Sequence, residues 1–307
     1  MASDFRPARF LGSAHAQTVA AALLRRPKSP KVRRERWDTP DGDFIDVDVL
    51  DGAGPQVLVL HGLEGSSRAG YVVECLRLAA ARGWGAVALN FRGCSGEPNR
   101  NARSYCSGDY DDALFVLGRM KGPRLAVGFS LGGNVLLKLL AERHAEAEVT
   151  AACAVSVPFD LHACARALDG PGPMMRFYQQ RFLRTLRAKA LAVAARHPGK
   201  LDADRIRASR GIVGFDDAVT APLYGLGSAA EYYAWASSGP RARHIRTPTL
   251  LISAEDDPLA PASHLPAFEN PALTRLFTRH GGHCGFLAEG GVFWAEAEAF
   301  RWFDTAR

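Results

Sequence analysis

The stretch Leu125-Ala126-Val127-Gly128-Phe129-Ser130-Leu131-Gly132-Gly133-Asn134-Val135-Leu136-Leu137 decides the fold. An apolar run ends in Gly-x-Ser-x-Gly and passes without a break into a helix-patterned segment, which places Ser130 on a sharp strand-to-helix turn with its hydroxyl exposed. A serine hydroxyl becomes a useful nucleophile only when a base takes its proton. The pentapeptide alone is more often incidental than catalytic, so its meaning depends on a histidine, a carboxylate and oxyanion donors elsewhere in the chain.

Working outward, residues 57–60, 86–91, 124–129 and 150–157 are apolar runs that fit strands buried on both faces. Residues 44–49 alternate, after the turn signal Asp41-Gly42-Asp43, and read as a strand with one wet face. Helical patterns over 71–82, 109–120 and 133–144 separate these runs, so strands and helices alternate and predict a mostly parallel sheet with helices on both faces. The alternation breaks at 159–243, where only amphipathic helical patterns and Pro/Gly punctuation occur. It returns with strand signals at 249–253 and 273–278 and an aromatic-rich helix at 292–303. The expected organisation is a core of 37–158 and 244–307, a helical cap inserted at 159–243 before the penultimate strand, and a basic leader of 1–36 on or beside the core. Arg33-Arg34-Glu35-Arg36 are expected to be solvated.

In parallel α/β sheets, ligands meet the carboxyl ends of the strands. Each chemically useful residue of this chain follows a strand signal: His61-Gly62-Leu63-Glu64-Gly65 after 57–60, Ser130 after 124–129, Asp256-Asp257 after 249–253, and His280 and His283 after 273–278. The order Ser, Asp, His is that of the α/β-hydrolase fold. Ser130 would attack an acyl carbonyl, a histidine would take its proton, and an aspartate would hold the imidazole tautomer. Asp257, just before the rigid Pro258-Leu259-Ala260-Pro261, is favoured over Asp256. His283, beyond Gly281-Gly282 on a loop able to reach back over the sheet, is favoured over His280. The oxyanion donors are expected to be the backbone N–H groups of Leu131, at a helix start, and Leu63, in the loop after 57–60.

Composition excludes several other classes. The net charge of +6 over 307 residues could suggest nucleic acid, but the arginines read as scattered and no nucleic-acid motif occurs. No window offers the ~18 uninterrupted apolar residues of a membrane span, and the first 26 residues lack a signal-peptide pattern, so the cytoplasm is the expected compartment. Gly128–Gly133 is neither a dinucleotide fingerprint nor a P-loop. His280, His283 and Cys284 lack a fourth ligand at zinc spacing, so no metal and no cofactor is expected. Cys94 reads as a small residue in a tight loop rather than a reactive thiol. Residues 174–196 form a basic amphipathic helix with Arg181, Arg184, Arg187 and Arg196 off the apolar face. It reads as a cap helix that could also make peripheral contact with lipid.

Beyond the Ser, Asp and His segments, the chain contains His15-x-Gln17-Thr18, Asn90-Phe91-Arg92-Gly93-Cys94-Ser95-Gly96-Glu97-Pro98-Asn99 and Gly281-Gly282-His283-Cys284-Gly285-Phe286. A spaced pattern also runs from Phe215-Asp216-Asp217 through Thr220-Ala221, Tyr224-Gly225, Tyr232-Tyr233 and Ser237 to Asp256-Asp257. With these motifs it resembles, over almost its whole length, the YheT-like branch of the α/β-hydrolase superfamily, bacterial relatives of the eukaryotic ABHD lipases and yeast medium-chain ester synthases. The resemblance implies a Ser130–Asp257–His283 charge relay acting on short-chain or lipid-like esters, with no metal or organic cofactor. The membrane anchor of many eukaryotic members is not expected here. The leading expectation is therefore a serine hydrolase that cleaves carboxylic esters through an acyl-enzyme. An acyltransferase using the same triad, or a hydrolase-fold binding protein without turnover, stands as the alternative. The roles of 92–99 and 216–237 do not follow from the sequence.

Overall fold

The apolar runs pair into one eight-stranded sheet in a computed structural model that describes residues 5–265 and 267–306. The first four residues of the expected leader, with 266 and 307, lie outside the described residues. The strands are β1 (Arg33–Asp38), β2 (Phe44–Leu50), β3 (Gln56–Leu60), β4 (Gly85–Asn90), β5 (Arg124–Phe129), β6 (Val149–Val155), β7 (Thr249–Ala254) and β8 (Leu273–Thr278). Their order is β1-β2-β4-β3-β5-β6-β7-β8. The β1–β2 and β2–β4 pairs are antiparallel and all others parallel, with Leu60 opposite Gly128. The turn that carries Ser130 therefore leaves the middle of the sheet.

Helix α1 (Ala14–Leu24) precedes the sheet. Helices α2 (Gly70–Ala81), α3 (Asp111–Arg119), α4 (Leu131–Glu142) and the short α5 (His144–Ala147) lie in the crossings. Between β6 and β7 run α6 (Leu161–Leu168), α7 (Pro173–Arg196), α8 (Ala203–Ala208), α9 (Gly211–Phe215), α10 (Ala221–Leu223) and α11 (Ala229–Ala236), and α12 (Trp294–Thr305) follows β8. Alternate strand residues feed two cores. Leu58, Leu60 and Ala126 join α3 and α4 on one face, whereas Val57, Val59, Leu125 and Val127 join α2 and α12 on the other. A third apolar cluster, including Leu168, Leu183, Ile206, Phe215 and Tyr232, is centred in the helical insertion and reaches Cys106 and Leu259 outside it. The chain thus has the α/β-hydrolase architecture, with a helical cap before the penultimate strand.

The amino end departs from expectation in two linked ways. Arg33, Arg34 and Arg36 are exposed as expected, but they belong to edge strand β1 of the sheet rather than to a leader, and β2 has no wet face, since Asp46 and Asp48 are buried. One cause accounts for both. Arg36 Nε donates to Asp46 at 2.8 Å and Arg34 makes a two-pronged pair with Asp48, so β1 carries the cations that cover the acidic side of β2. The burial of β2 does not show in its own sequence, because its carboxylates are tolerated there only with the arginines of β1 against them.

The 92–99 segment proves to be a bracket. Arg92, buried after β4, donates through Nε and Nη2 to Asp112 (2.8 and 2.7 Å) and through Nη1 to Asp41 (2.7 Å) and Asp43 (3.1 Å). Asn99 accepts the Gly93 N–H at 2.7 Å and donates to Asp43 and to the Phe44 carbonyl. These bonds tie the β1–β2 turn and α3 to the end of β4. Removing the cation strands buried carboxylates, a change that typically costs about 3–5 kcal/mol. Arg92→Met should therefore lower the urea-unfolding free energy by about 3 kcal/mol or more, and Asn99→Ala by about 1–2 kcal/mol.

Candidate active site

Ser130 stands between β5 and α4 with φ 51° and ψ −117°, a backbone that a residue with a side chain adopts only under constraint. The constraint is close packing. A Cβ on Gly128 would fall 2.4 Å from the Gly132 carbonyl oxygen, and one on Gly132 would fall 2.5 Å from that of His61. Glycine at both positions lets β5, α4 and the loop after β3 meet backbone to backbone. The Ser130 N–H donates to the Val155 carbonyl at 2.8 Å and pins the turn to β6.

His283 arrives on the loop after β8 with Nε2 2.9 Å from Ser130 Oγ. Its Nδ1 lies 2.9 and 3.1 Å from the two oxygens of Asp257. With the ring proton assigned to Nδ1 by this network, His283 donates to Asp257 and presents Nε2 as acceptor to the serine hydroxyl. Asp257 is buried at the end of β7 and also accepts the N–H groups of Leu259 and Ala260, each at 2.8 Å. The three side chains expected to act together thus lie in one hydrogen-bonded line. Asp256 and His280 are engaged elsewhere: Asp256 accepts the Gly282 N–H at 2.9 Å and faces His280 Nδ1 at 3.2 Å, which shapes the loop carrying His283.

The amides on either side of Leu63 in the loop after β3 are engaged. Gly62 N–H donates to Tyr71 Oη (3.0 Å), Glu64 N–H to Tyr105 Oη (2.8 Å) and Gly65 N–H to the Gly62 carbonyl (3.0 Å). The Leu63 N–H between them has no acceptor among the described residues, and neither has the Leu131 N–H that opens α4. Leu63, Leu131, Ser130 and His283 all line one cavity. The loop is clamped by His61, whose Nε2 accepts the Phe91 N–H at 3.1 Å while Nδ1–H donates to the Gly62 carbonyl at 2.7 Å. Burial pushes the His61 pKa down to about 4, so the clamp is neutral.

Several supporting residues carry no catalytic signature in sequence. Thr18 Oγ1 accepts the His283 N–H at 2.9 Å, and Gln17 brackets Leu287 through its amide, donating to the carbonyl (3.0 Å) and accepting the N–H (2.8 Å). Helix α1 is thereby a buttress of the histidine loop, which gives the His15-x-Gln17-Thr18 motif a structural role. Asn134 donates to the carbonyls of Ser107 and Ala236 and accepts the Ser238 N–H, joining α4 to the insertion. Lys189 of α7 donates to Glu64 at 2.7 Å, and Tyr105 Oη donates to the same carboxylate at 2.8 Å, so the insertion also grips the loop after β3. Within 216–237, Asp216 opens a π-helical turn and accepts from Thr220 Oγ1 (2.5 Å) and Tyr233 Oη (2.7 Å), while Asp217 accepts the Ala229 N–H (2.6 Å). These bonds frame the insertion from within, while Tyr224 and Tyr232 tie the same segment to residues 104–109. Burial pushes the Asp216 carboxyl up to about 6.

Two spaces adjoin Ser130. One, of about 150 Å³, lies beneath the insertion and is walled by apolar side chains that include Leu161, Leu186, Val193, Phe215 and Val219. The other, of about 400 Å³, is an open cleft between α1 and the start of α7. Cys94 Sγ lies 3.4 Å from Lys189 Nζ, and burial pushes its thiol up to about 11, which opposes reactivity. Among the described residues no helix is long and apolar enough to cross a membrane.

A family model described as alpha/beta hydrolase fold matches residues 55–289. YheT of Escherichia coli (strain K12), which carries the name of an esterase, is 37% identical over 99% of this chain and 94% of its own length. Phospholipase ABHD3 of Mus musculus is 28% identical over 92% of this chain and 73% of its own. Among solved structures, the Pyrococcus furiosus esterase Pf2001 superposes with a TM-score of 0.54 at 14% identity. It covers 89% of this chain and 92% of the other, a likeness of fold alone.

The neutral clamp has a pH signature. The folded pKa of His61 lies below its ordinary 6.5, at about 4. The unfolded chain therefore binds the proton first, and the stability present above pH 6.5 is lost as pH falls toward 4, by up to about 3 kcal/mol. Thermal unfolding across that range should show a fall in melting temperature that is visibly shallower in His61→Gln.

Proposed function

Because the chain belongs to the α/β-hydrolase family, on the branch of YheT and the ABHD proteins, we propose that it is a serine ester hydrolase in which Ser130 is the nucleophile, His283 the base and Asp257 the residue that orients it. The observation that carries this reading is the unbroken line Ser130 Oγ to His283 Nε2 (2.9 Å) and His283 Nδ1 to Asp257 (2.9 Å). As Ser130 Oγ bonds to the acyl carbon, its proton passes to Nε2 and the imidazolium is held by the buried carboxylate. The carbonyl oxygen, now negative, is received by the N–H groups of Leu63 and Leu131, which meet it without reorganisation. Collapse of the tetrahedral adduct breaks the ester C–O bond, and His283 returns the proton to the departing alcohol. Water then repeats the sequence on the acyl-enzyme and frees the acid and Ser130.

The two spaces divide the substrate. The apolar cavity under the insertion suits an acyl chain, whereas the open cleft suits the alcohol part and the entering water. Water reaching Ser130 through that cleft favours hydrolysis over transfer to another alcohol. Ester or lipid substrates agree with the names of the relatives, one an esterase and one a phospholipase.

A fluorophosphonate probe should label the wild-type protein and leave Ser130→Ala unlabelled; labelling that persists in the alanine variant removes the assignment. Asp257→Asn should lower kcat on a p-nitrophenyl ester by roughly 10⁴-fold. Asp256→Asn, still able to accept the Gly282 N–H, should stay within roughly tenfold. Val193→Phe, which fills part of the acyl cavity, should shift the chain-length optimum of a p-nitrophenyl ester series downward while acetate hydrolysis changes little.

A further inference from the structure

Two cation-rich segments of this chain hold no acidic residue. Residues 5–34 contain eight Lys and Arg, and residues 170–201 contain seven, without one Asp or Glu in either. These segments carry 15 positive charges, and the rest of the chain, with 23 cations against 32 acids, carries a net −9. The charge is therefore segregated, not scattered as the sequence alone suggested. Folding brings the two segments side by side: α1 of the first and α7 of the second meet at His15 Nδ1 and Tyr178 Oη, 3.1 Å apart. Together they wall the open cleft that has Ser130 and His283 on its lining.

Some of these cations are consumed internally, Arg25 by Glu296, Arg33 by Asp51, Arg34 by Asp48 and Lys189 by Glu64. Arg26, Lys28, Arg176, Arg181 and Arg184 are exposed, and none has a carboxylate partner among the described residues. The same rim exposes large apolar side chains: Leu23 is 57% accessible, Leu24 71% and Phe177 51%. Leu23, Phe177 and Arg181 themselves line the cleft.

Unpaired cations around exposed apolar groups are complementary to a surface with negative charge outside and hydrocarbon beneath. We propose that the rim formed by α1 and the first half of α7 docks this protein on an anionic lipid bilayer, with the cleft to Ser130 turned toward the membrane. A nucleic acid would satisfy the cations but leave Leu23, Leu24 and Phe177 in water. The docking rests on the hydrolase reading only in that the cleft leads to the proposed nucleophile; the binding itself requires no turnover.

Sedimentation of the full chain with vesicles tests it. Protein should pellet with phosphatidylcholine vesicles containing phosphatidylglycerol and stay in solution with phosphatidylcholine alone. Raising the salt from about 0.15 M to about 1 M, where screening shortens to about 3 Å, should release it. The charge-reversed double variant Arg26→Glu/Arg184→Glu should bind anionic vesicles roughly tenfold or more weakly, and Leu24→Ser should also weaken binding. Fluorophosphonate labelling of both variants at wild-type level shows them folded. It also separates the two ideas, since a failed hydrolase reading appears in labelling and a failed docking in the pellet. No binding to either vesicle, equal binding to both, or variants that bind like wild type would overturn the proposal. So would anionic binding that Leu24→Ser leaves unchanged and that duplex RNA competes away.

Discussion

Backbone-to-backbone contact at Gly128 and Gly132 is the constraint on which the rest of the molecule depends. With a Cβ at either position the α4 start, β5 and the loop after β3 could not approach as they do, since the distances to carbonyl oxygens would be 2.4 and 2.5 Å. That approach forces Ser130 to a positive φ, aims its hydroxyl away from the sheet, and sets the Leu131 amide beside the loop bearing the Leu63 amide. Strain at one residue is maintained because both neighbours are packed by the central strands of the sheet, the part of the fold least able to relax.

Around this turn the molecule relies on buried polar brackets rather than on more apolar packing. Arg92 and Asn99 hold the β1–β2 turn to β4, Gln17 and Thr18 hold the histidine loop to α1, and Asn134 holds the insertion to α4. Each such side chain satisfies several buried donors or acceptors at once, so its geometry is determined by many bonds. Hydrophobic contact alone would hold these loops near one another but would tolerate sliding; directional bonds fix them within the few tenths of an ångström that a hydrogen-bonded Ser–His–Asp line requires.

Electrostatics divides the molecule in a second way. The carboxylates that accompany the arginines of β1 and of the segment after β4 are buried partners, whereas Arg26 and Lys28 just after α1 and Arg176, Arg181 and Arg184 of α7 are presented without them. The insertion thereby has two different faces. One is apolar and closes over the cavity beneath the insertion through Leu186 and Val193; the other is basic and borders the cleft through Arg181. A single amphipathic helix supplies both because its residues at three- and four-residue spacing share a side.

Much of this was legible in sequence. Apolar runs alternating with helical patterns determine a parallel sheet, because a strand buried on both faces has few other compositions, and Gly-x-Ser-x-Gly determines the strained turn because only glycine permits the close approach. Placement after strand signals also marks Ser130, Asp257 and His283 as neighbours, since parallel strands deliver their carboxyl ends to one edge. What sequence reading could not supply were groups defined by a partner far along the chain. Asp46 and Asp48 look solvent-facing until Arg36 and Arg34 cover them, Thr18 has no catalytic signature until it meets His283 N–H, and Arg92 has no role until Asp41, Asp43 and Asp112 converge on it. The absence of acids from 5–34 and 170–201 could have been counted in sequence, but only the packing of α1 against α7 makes the two into one surface. Local pattern determines which element forms and which way its faces point, whereas the worth of a buried charge or hydrogen bond is set by where its partner lies, and that distance exists only in the folded chain.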